Sequence, residues 1–447
     1  METRVGMVSL GCSKNQVDAE RMLYKLHEKG YKLVEDAALA DITIINTCGF
    51  IESAKQEAIE TILEFAELKK EGRIKKIIIT GCLAERYKEE ILSEIPEADA
   101  VIGIGSNDDI CNILDRVMNG EQVTAFGSKL DLSLTGGRVR TTLPFYSYLK
   151  ISDGCSNCCS YCAIPSIRGK MRSVPMETLE AEAAELAEKG VRELIIIAQD
   201  STRYGEDIYG KPMLPELLTR LCGIDGLKWI RVLYCYPERI SDELIEVMAK
   251  EDKIVKYIDM PIQHCDGEVL SRMNRPGDEE TLRSLIAKLR DRIPDIILRT
   301  TLITGFPGET EEQFERLAEF VKDMRFDRLG CFPYSQEEGT KAALMDGQLD
   351  EDTRERRADI IMEQQMLIAE EKNEALIGTV TEAVVEGFDR YGECYFGRTA
   401  ADAPEIDGKV FFTSPDRRLA IGEFVKVSIN ETMDYDLIGD VTDESAK

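Results

Sequence analysis

Asp153-Gly154-Cys155-Ser156-Asn157-Cys158-Cys159-Ser160-Tyr161-Cys162 follows an aromatic- and leucine-bearing run at 146–152. The run reads as a buried strand, and the stretch after it as a tight loop. The spacing Cys155-x3-Cys159-x2-Cys162 brings three thiolates to one small volume, and thiolates are preferred ligands of iron–sulfur clusters. Three ligands for four irons leave one iron open. An open iron can chelate the amino and carboxylate groups of S-adenosylmethionine and pass it the electron that breaks the sulfonium. The alternative is a zinc knuckle, which needs four ligands, and Cys158 is the available fourth.

Outward from this loop, residues 143–373 repeat a strand–helix unit six times. Strands are predicted at 146–152, 193–199, 229–235, 257–263, 298–306 and 328–335. Helical periodicity follows at 176–190, 241–250, 278–292 and 310–324, and a long charged helix at 350–373 closes the region. A full barrel of this type has eight units and carries its active site at the carboxyl ends of the strands. Six units predict an incomplete (β/α)6 barrel with room for a large substrate, and the cysteine loop falls at its active end.

Residues 1–135 alternate buried strands at 4–10, 41–46, 75–80 and 98–103 with helices at 15–30, 51–71 and 85–95. That is the pattern of an open, doubly wound parallel sheet. A Gly- and Thr-bearing linker, 132–142, follows it. Three strands each deliver one cysteine at the carboxyl edge: Cys12, Cys48 and Cys82. In a parallel sheet those edges lie side by side, where ligands bind, and neighbours such as Gly11, Gly49 and Gly81 permit close backbone approach. A second metal centre is the expectation; three unrelated buried cysteines are the alternative. Residues 375–443 change to short strands at 380–386, 394–398, 409–413 and 424–431 with Gly and Asp turns, which predicts a small antiparallel β-barrel.

The chain has 447 residues, 13 Cys, 2 His and a net charge of −28. No run is apolar enough to cross a membrane and no signal peptide is legible, so a cytosolic setting is expected, where thiols stay reduced and metal binding or catalysis is a better reading of the clustered cysteines than a disulfide framework. The scarcity of histidine argues against most zinc, copper and general-base schemes, and no acid–base catalytic residue stands out. Cys111, Cys222, Cys235, Cys265, Cys331 and Cys394 read as packing residues, and His27 as a surface residue. His264, at the end of the fourth barrel strand, has either a positioning or a structural role.

The order of these parts resembles the radical S-adenosylmethionine methylthiotransferase family over nearly the whole chain. The carriers are Ser9-Leu10-Gly11-Cys12-Ser13-Lys14-Asn15, Ala198-Gln199-Asp200-Ser201-Thr202, Pro261-Ile262-Gln263-His264 and Ala403-Pro404-Glu405-Ile406-Asp407-Gly408. Within the family they are most similar to the branch that methylthiolates the β-carbon of an aspartate in small-subunit ribosomal protein twelve. The tRNA adenosine branch usually has Gly-Gln-Asn at 198–200 and Ser at 264. The resemblance implies two 4Fe-4S clusters, S-adenosylmethionine, an electron donor such as flavodoxin or ferredoxin, and a C-terminal barrel similar to a TRAM domain. It implies that Tyr161 contacts adenine. Gln199, ending the second strand, could meet the methionine moiety, and Gly305 and Gly308, in Gly305-Phe306-Pro307-Gly308-Glu309-Thr310, could let the backbone approach the cofactor; turn chemistry alone is the alternative for each.

Residues 375–447 hold 15 Asp and Glu against 7 Lys and Arg, a net of −8. A domain that grips RNA should be basic. The acidic barrel, with its 404–407 turn, is therefore expected to steer a basic ribosomal protein at the open mouth of the central barrel. A non-enzymatic zinc protein is the remaining alternative, and metal content separates it.

Overall fold

The computed structural model describes residues 3–442. Its first sheet is parallel and six-stranded, in the order β2-β1-β3-β4-β5-β6. The strands are β1 (Arg4–Ser9), β2 (Lys32–Val34), β3 (Ile42–Thr47), β4 (Lys76–Gly81), β5 (Ala100–Ile102) and β6 (Val123–Ala125). Helices α1 (Ser13–Glu28), α2 (Glu52–Lys70), α3 (Cys82–Glu94) and α4 (Ile110–Met118) cover its two faces. β3 is buried at every position, as expected for a parallel strand sandwiched between helix layers. β2 and β6 escape sequence reading because each is a three-residue edge strand, too short to show a period.

The second sheet is also parallel and six-stranded, in the order β14-β13-β12-β11-β10-β7. Its members are β7 (Tyr146–Lys150), β10 (Glu193–Ile197), β11 (Trp229–Val232), β12 (Ile254–Asp259), β13 (Ile297–Thr304) and β14 (Arg328–Pro333). A two-residue ribbon, β8 (Ser152–Asp153) against β9 (Arg172–Ser173), brackets the cysteine loop. Short α5 (Ile164–Arg168) lies inside that bracket. The outer layer includes α6 (Met176–Glu188), α7 (Glu206–Tyr209), α8 (Leu214–Cys222) and α9 (Asp242–Lys250). It continues with α10 (Gly267–Arg272), α11 (Glu279–Arg292), α12 (Glu311–Met324) and α13 (Glu351–Glu374). A capping box starts α12: the Thr310 hydroxyl accepts from the Gln313 N–H at 3.3 Å and the Gln313 side chain returns to the Thr310 N–H at 3.1 Å. The fourth strand lies earlier than predicted, ending at Asp259 rather than 263. Pro261 has no N–H to give a central ladder, and Gln263 turns to a φ of 69°.

The last five strands, β15 (Val380–Asp389), β16 (Cys394–Thr399), β17 (Val410–Thr413), β18 (Phe424–Met433) and β19 (Asp436–Val441), close into a barrel in the order β15-β16-β17-β19-β18. β19 was not legible because Asp436, Gly439 and Asp440 dilute its strand pattern. The barrel is antiparallel except at β17–β19, which run parallel. An odd ring of strands cannot alternate direction all the way round, so one parallel pair is unavoidable.

This barrel packs against the amino ends of the central strands. Arg398 binds Glu193 at the start of β10, and Glu193 also holds Arg231 at 2.9 Å. The Trp229 ring, at the start of β11, meets Phe424 edge-on at 4.8 Å. Arg328, opening β14, donates to Asp402 at 2.6 Å. The expectation that the barrel's carboxylates stand at the open mouth is therefore corrected: they sit at the opposite end. The Asp407 side chain is buried, accepting from the Tyr257 hydroxyl at 2.7 Å and the Ala403 N–H at 2.8 Å. Glu405 accepts from the Tyr146 hydroxyl at 3.4 Å. Short-range pairing absorbs charges that a composition count treats as free. Residue 443, the expected end of this region, lies outside the described residues.

Candidate cofactor site

The carboxyl edge of the first sheet faces the mouth of the second. Cys12 precedes α1, Cys48 follows β3, and Cys82 opens α3 directly after β4. Gly11 and Gly81 make this convergence possible. Each has a positive φ, 89° and 97°. A Cβ on Gly11 would stand 2.9 Å from Cys48 Sγ, and one on Gly81 would stand 2.4 Å from the Thr47 carbonyl. Cys82 shares a small buried group with Ala163, the residue that follows Cys162, and with Ile167. All six cysteines are free thiols.

The central loop is held by its neighbours on every side. The Cys155 N–H donates to the Gly169 carbonyl at 3.0 Å, and the Ser160 hydroxyl to the Arg272 carbonyl at 2.8 Å. Asn157 donates to Asp200 at 2.7 Å, and Asn274 to the Cys158 carbonyl at 2.8 Å. Cys155 and Cys159 are buried, Cys162 is half-buried and Cys158 is exposed. The odd cysteine thus turns out of the loop.

Burial pushes the thiols of Cys155 and Cys162 up to about 11 and about 12, and that of Cys82 up to about 12 against the pull of Arg168. Burial also raises Cys48. Cys12 goes the other way: desolvation of its sulfur opposes ionisation, but the Lys14 and Arg168 cations and the Asn15 and Lys14 N–H groups outweigh it. Iron would deprotonate all of them. Among the described residues no three His, Cys, Asp or Glu side chains are grouped as ligands of a single metal ion. Free thiols in sets of three are the donor chemistry of iron–sulfur ligation.

Sequence reading missed the side chains that join the two sets. Arg168, at the end of α5 and 3% exposed, donates from Nη1 to Asp18 at 2.8 Å and to Asp153 at 3.1 Å. Its Nη2 lies 3.4 Å from Asn15 Oδ1 and 3.7 Å from Cys82 Sγ. Lys150 binds the same two aspartates. One buried guanidinium therefore touches α1, the Cys82 corner and the residue two before Cys155. Lys14 Nζ lies 3.1 Å from the Tyr234 ring centroid, and Arg86 donates to Glu337 at 2.7 Å across the same interface. No motif marks Arg168, Lys150, Asp18, Arg86 or Glu337; the available signals were Lys14 and Asn15, in the Ser9-to-Asn15 stretch, and Asp153, adjoining Gly154-Cys155.

The other predicted contacts fall as follows. Gln199 donates to Asp153 at 3.2 Å, and its Oε1 is buried with no protein partner, a free acceptor for a ligand. Tyr161 is half-buried against the barrel core and is influenced by Arg275. A Cβ on Gly305 would meet Arg354 Cγ at 2.3 Å, and one on Gly308 would meet Arg272 Nη1 at 2.9 Å, so protein packing already requires both glycines. Cys235, Cys265 and Cys331 lie in the main core and Cys222 and Cys111 pack beside cores, whereas Cys394 is only half-buried in the last barrel. His27 is exposed.

His264 is fully buried. Its Nδ1 accepts from the Asp266 N–H at 2.9 Å, so Nε2 carries the proton, 3.6 Å from Glu309 Oε2. Glu309 in turn accepts from the Gly305 N–H at 3.0 Å, while His264 Nε2 makes no hydrogen bond of its own. Burial pushes its imidazole down to about 3. In the unfolded chain it titrates near about 6.5. The unfolded state then takes up the extra proton, so stability should fall as pH drops from about 6.5 towards about 3. The slope from this group is at most about 1.4 kcal/mol per pH unit. Denaturant titration of the parent and of His264→Gln across that range should show the difference; parallel curves would refute it.

Residues 149–321 match the radical SAM superfamily, residues 4–103 the uncharacterized protein family UPF0004, and residues 377–442 the TRAM domain. The fold is also that of a radical S-adenosylmethionine methyltransferase, TsrM from Kitasatospora setae. That structure aligns with TM-score 0.56 and 13% identity over 75% of this chain and 74% of its own. Fold and domain matches together define a radical S-adenosylmethionine enzyme. The chain is 52% identical to ribosomal protein uS12 methylthiotransferase RimO of Lachnoclostridium phytofermentans, over 98% of this chain and 99% of that one. It is 50% identical to the RimO of Clostridioides difficile, over 99% and 100%. This chain belongs to the RimO family of methylthiotransferases. These relatives carry the name of the ribosomal-protein branch, and the tRNA branch expected as the alternative finds no support in them.

Proposed function

We propose that this chain adds a methylthio group to the β-carbon of an aspartate in ribosomal protein uS12, in the cytoplasm, using two 4Fe-4S clusters. Cys155, Cys159 and Cys162 would hold one, and Cys12, Cys48 and Cys82 the other. When bound, the clusters and S-adenosylmethionine supply the hydrogen-abstracting radical, the sulfur and the methyl group. A small one-electron carrier of the flavodoxin or ferredoxin class is the fitting reductant.

The chain's own residues bind and orient. Tyr161, beside Cys162, offers a ring to adenine, and the unclaimed Gln199 Oε1 offers an acceptor to the methionine ammonium. The 305–308 turn, braced by Glu309, would line the same cofactor. Arg168 and Lys150, paired with Asp18 and Asp153, hold the two cysteine sets in one register. The observation that carries the reading is this opposition of two three-cysteine sets across one buried ion network. Reconstituted enzyme should place the methylthio group on isolated uS12, read by mass spectrometry, and none on tRNA. A methylthio adenosine with unmodified uS12 would reverse the assignment.

A further inference from the structure

Behind Cys159 stands Tyr236, in the Cys235-Tyr236-Pro237 turn that follows β11. Its hydroxyl lies 3.0 Å from Cys159 Sγ. An iron-bound thiolate has no proton to give, so in the loaded protein the phenol must be the donor. Among the described residues, no other sulfur of this loop has a hydroxyl partner. The Arg275 guanidinium sits over the Tyr236 ring, 4.2 Å from its centroid. Arg275 is itself 4% exposed, and its one ion pair, to Glu238, is long at 3.4 Å, so much of its charge is left for the ring and what lies beyond.

We propose that Tyr236, backed by Arg275, is a positioning residue that tunes the cluster of the central loop: its hydrogen bond to Cys159 raises that cluster's reduction potential and sets how readily the cluster accepts the first electron. Reduction adds one negative charge to the cluster. Hydrogen bonds to its sulfurs and a nearby cation stabilise the reduced form, and in a buried site solvent screens them weakly. No bond is made or broken in this step; one electron enters from an external one-electron reductant. The inference rests on the reading that Cys155, Cys159 and Cys162 hold a cluster.

The test is a redox titration of the full reconstituted chain, followed by electron paramagnetic resonance. The signal that changes on adding S-adenosylmethionine marks the central cluster. Tyr236→Phe keeps the ring packing and deletes one oxygen. It should lower the potential of that signal alone and remove an exchangeable-proton coupling from it. Cleavage of S-adenosylmethionine should slow several-fold with a weak reductant and recover with a strong one. Arg275→Gln should lower the same potential, and Arg275→Lys should shift it less. An unchanged potential in Tyr236→Phe, or an equal shift in both clusters, would overturn the inference. If Tyr236→Phe binds less iron, equal potentials in the two Arg275 variants overturn it instead. A responsive signal that survives in the Cys155, Cys159 and Cys162 triple alanine variant would overturn the cluster reading itself, and this inference with it.

Discussion

Replacing Cys155, Cys159 and Cys162 together by alanine should remove about half of about eight irons and abolish reductive cleavage of S-adenosylmethionine. Replacing Cys12, Cys48 and Cys82 instead should remove the other half, leave cleavage running and eliminate the methylthio product. The asymmetry follows from position. The central loop lies at the carboxyl end of a barrel strand, where this architecture does its chemistry, while the second set arrives from a separate sheet. Each substitution deletes a single sulfur; Cys82, Cys155 and Cys159 are buried, so folding of each variant is checked by its denaturant midpoint. Iron analysis, 5′-deoxyadenosine release and mass spectrometry of uS12 give three independent readings. Cleavage surviving in the first variant, or normal product in the second, would sink the assignment of that set.

Arg168→Gln should be the most damaging single change. It strips a buried cation from a group in which Arg168 and Lys150 balance Asp18 and Asp153. Breaking a buried ion group by removing one member costs about 3–5 kcal/mol, because the remaining charge stays buried and uncompensated. The same change frees the Cys82 corner from the segment leading into Cys155, so cleavage should become uncoupled from methylthio transfer. Arg168→Lys keeps the charge but lacks the fork that reaches four partners, and should fall between the two. Denaturant midpoints and the ratio of 5′-deoxyadenosine to modified uS12 measure both effects. A wild-type ratio in Arg168→Gln would show that the guanidinium does not set the geometry between the two sets.

Much of this protein follows from local pattern. Buried strands such as 42–47 and 193–197 declare themselves as apolar runs, and the Cys-x3-Cys-x2-Cys spacing carries its chemistry within eight residues. Cys12, Cys48 and Cys82 were legible as a set because strand ends in a parallel sheet share one edge. Tertiary structure alone decided the rest. Arg168 meets Asp18 across 150 positions, and Arg398 meets Glu193 across 205, with no periodicity linking them. The acidic count of the last barrel suggested free carboxylates at the mouth, yet Asp402 and Asp407 are spent on Arg328, Tyr257 and Arg299 at the other end. Periodicity reports which face of an element is buried. Which distant charge neutralises a buried one is fixed only when the chain has closed and desolvation makes an unpaired charge costly.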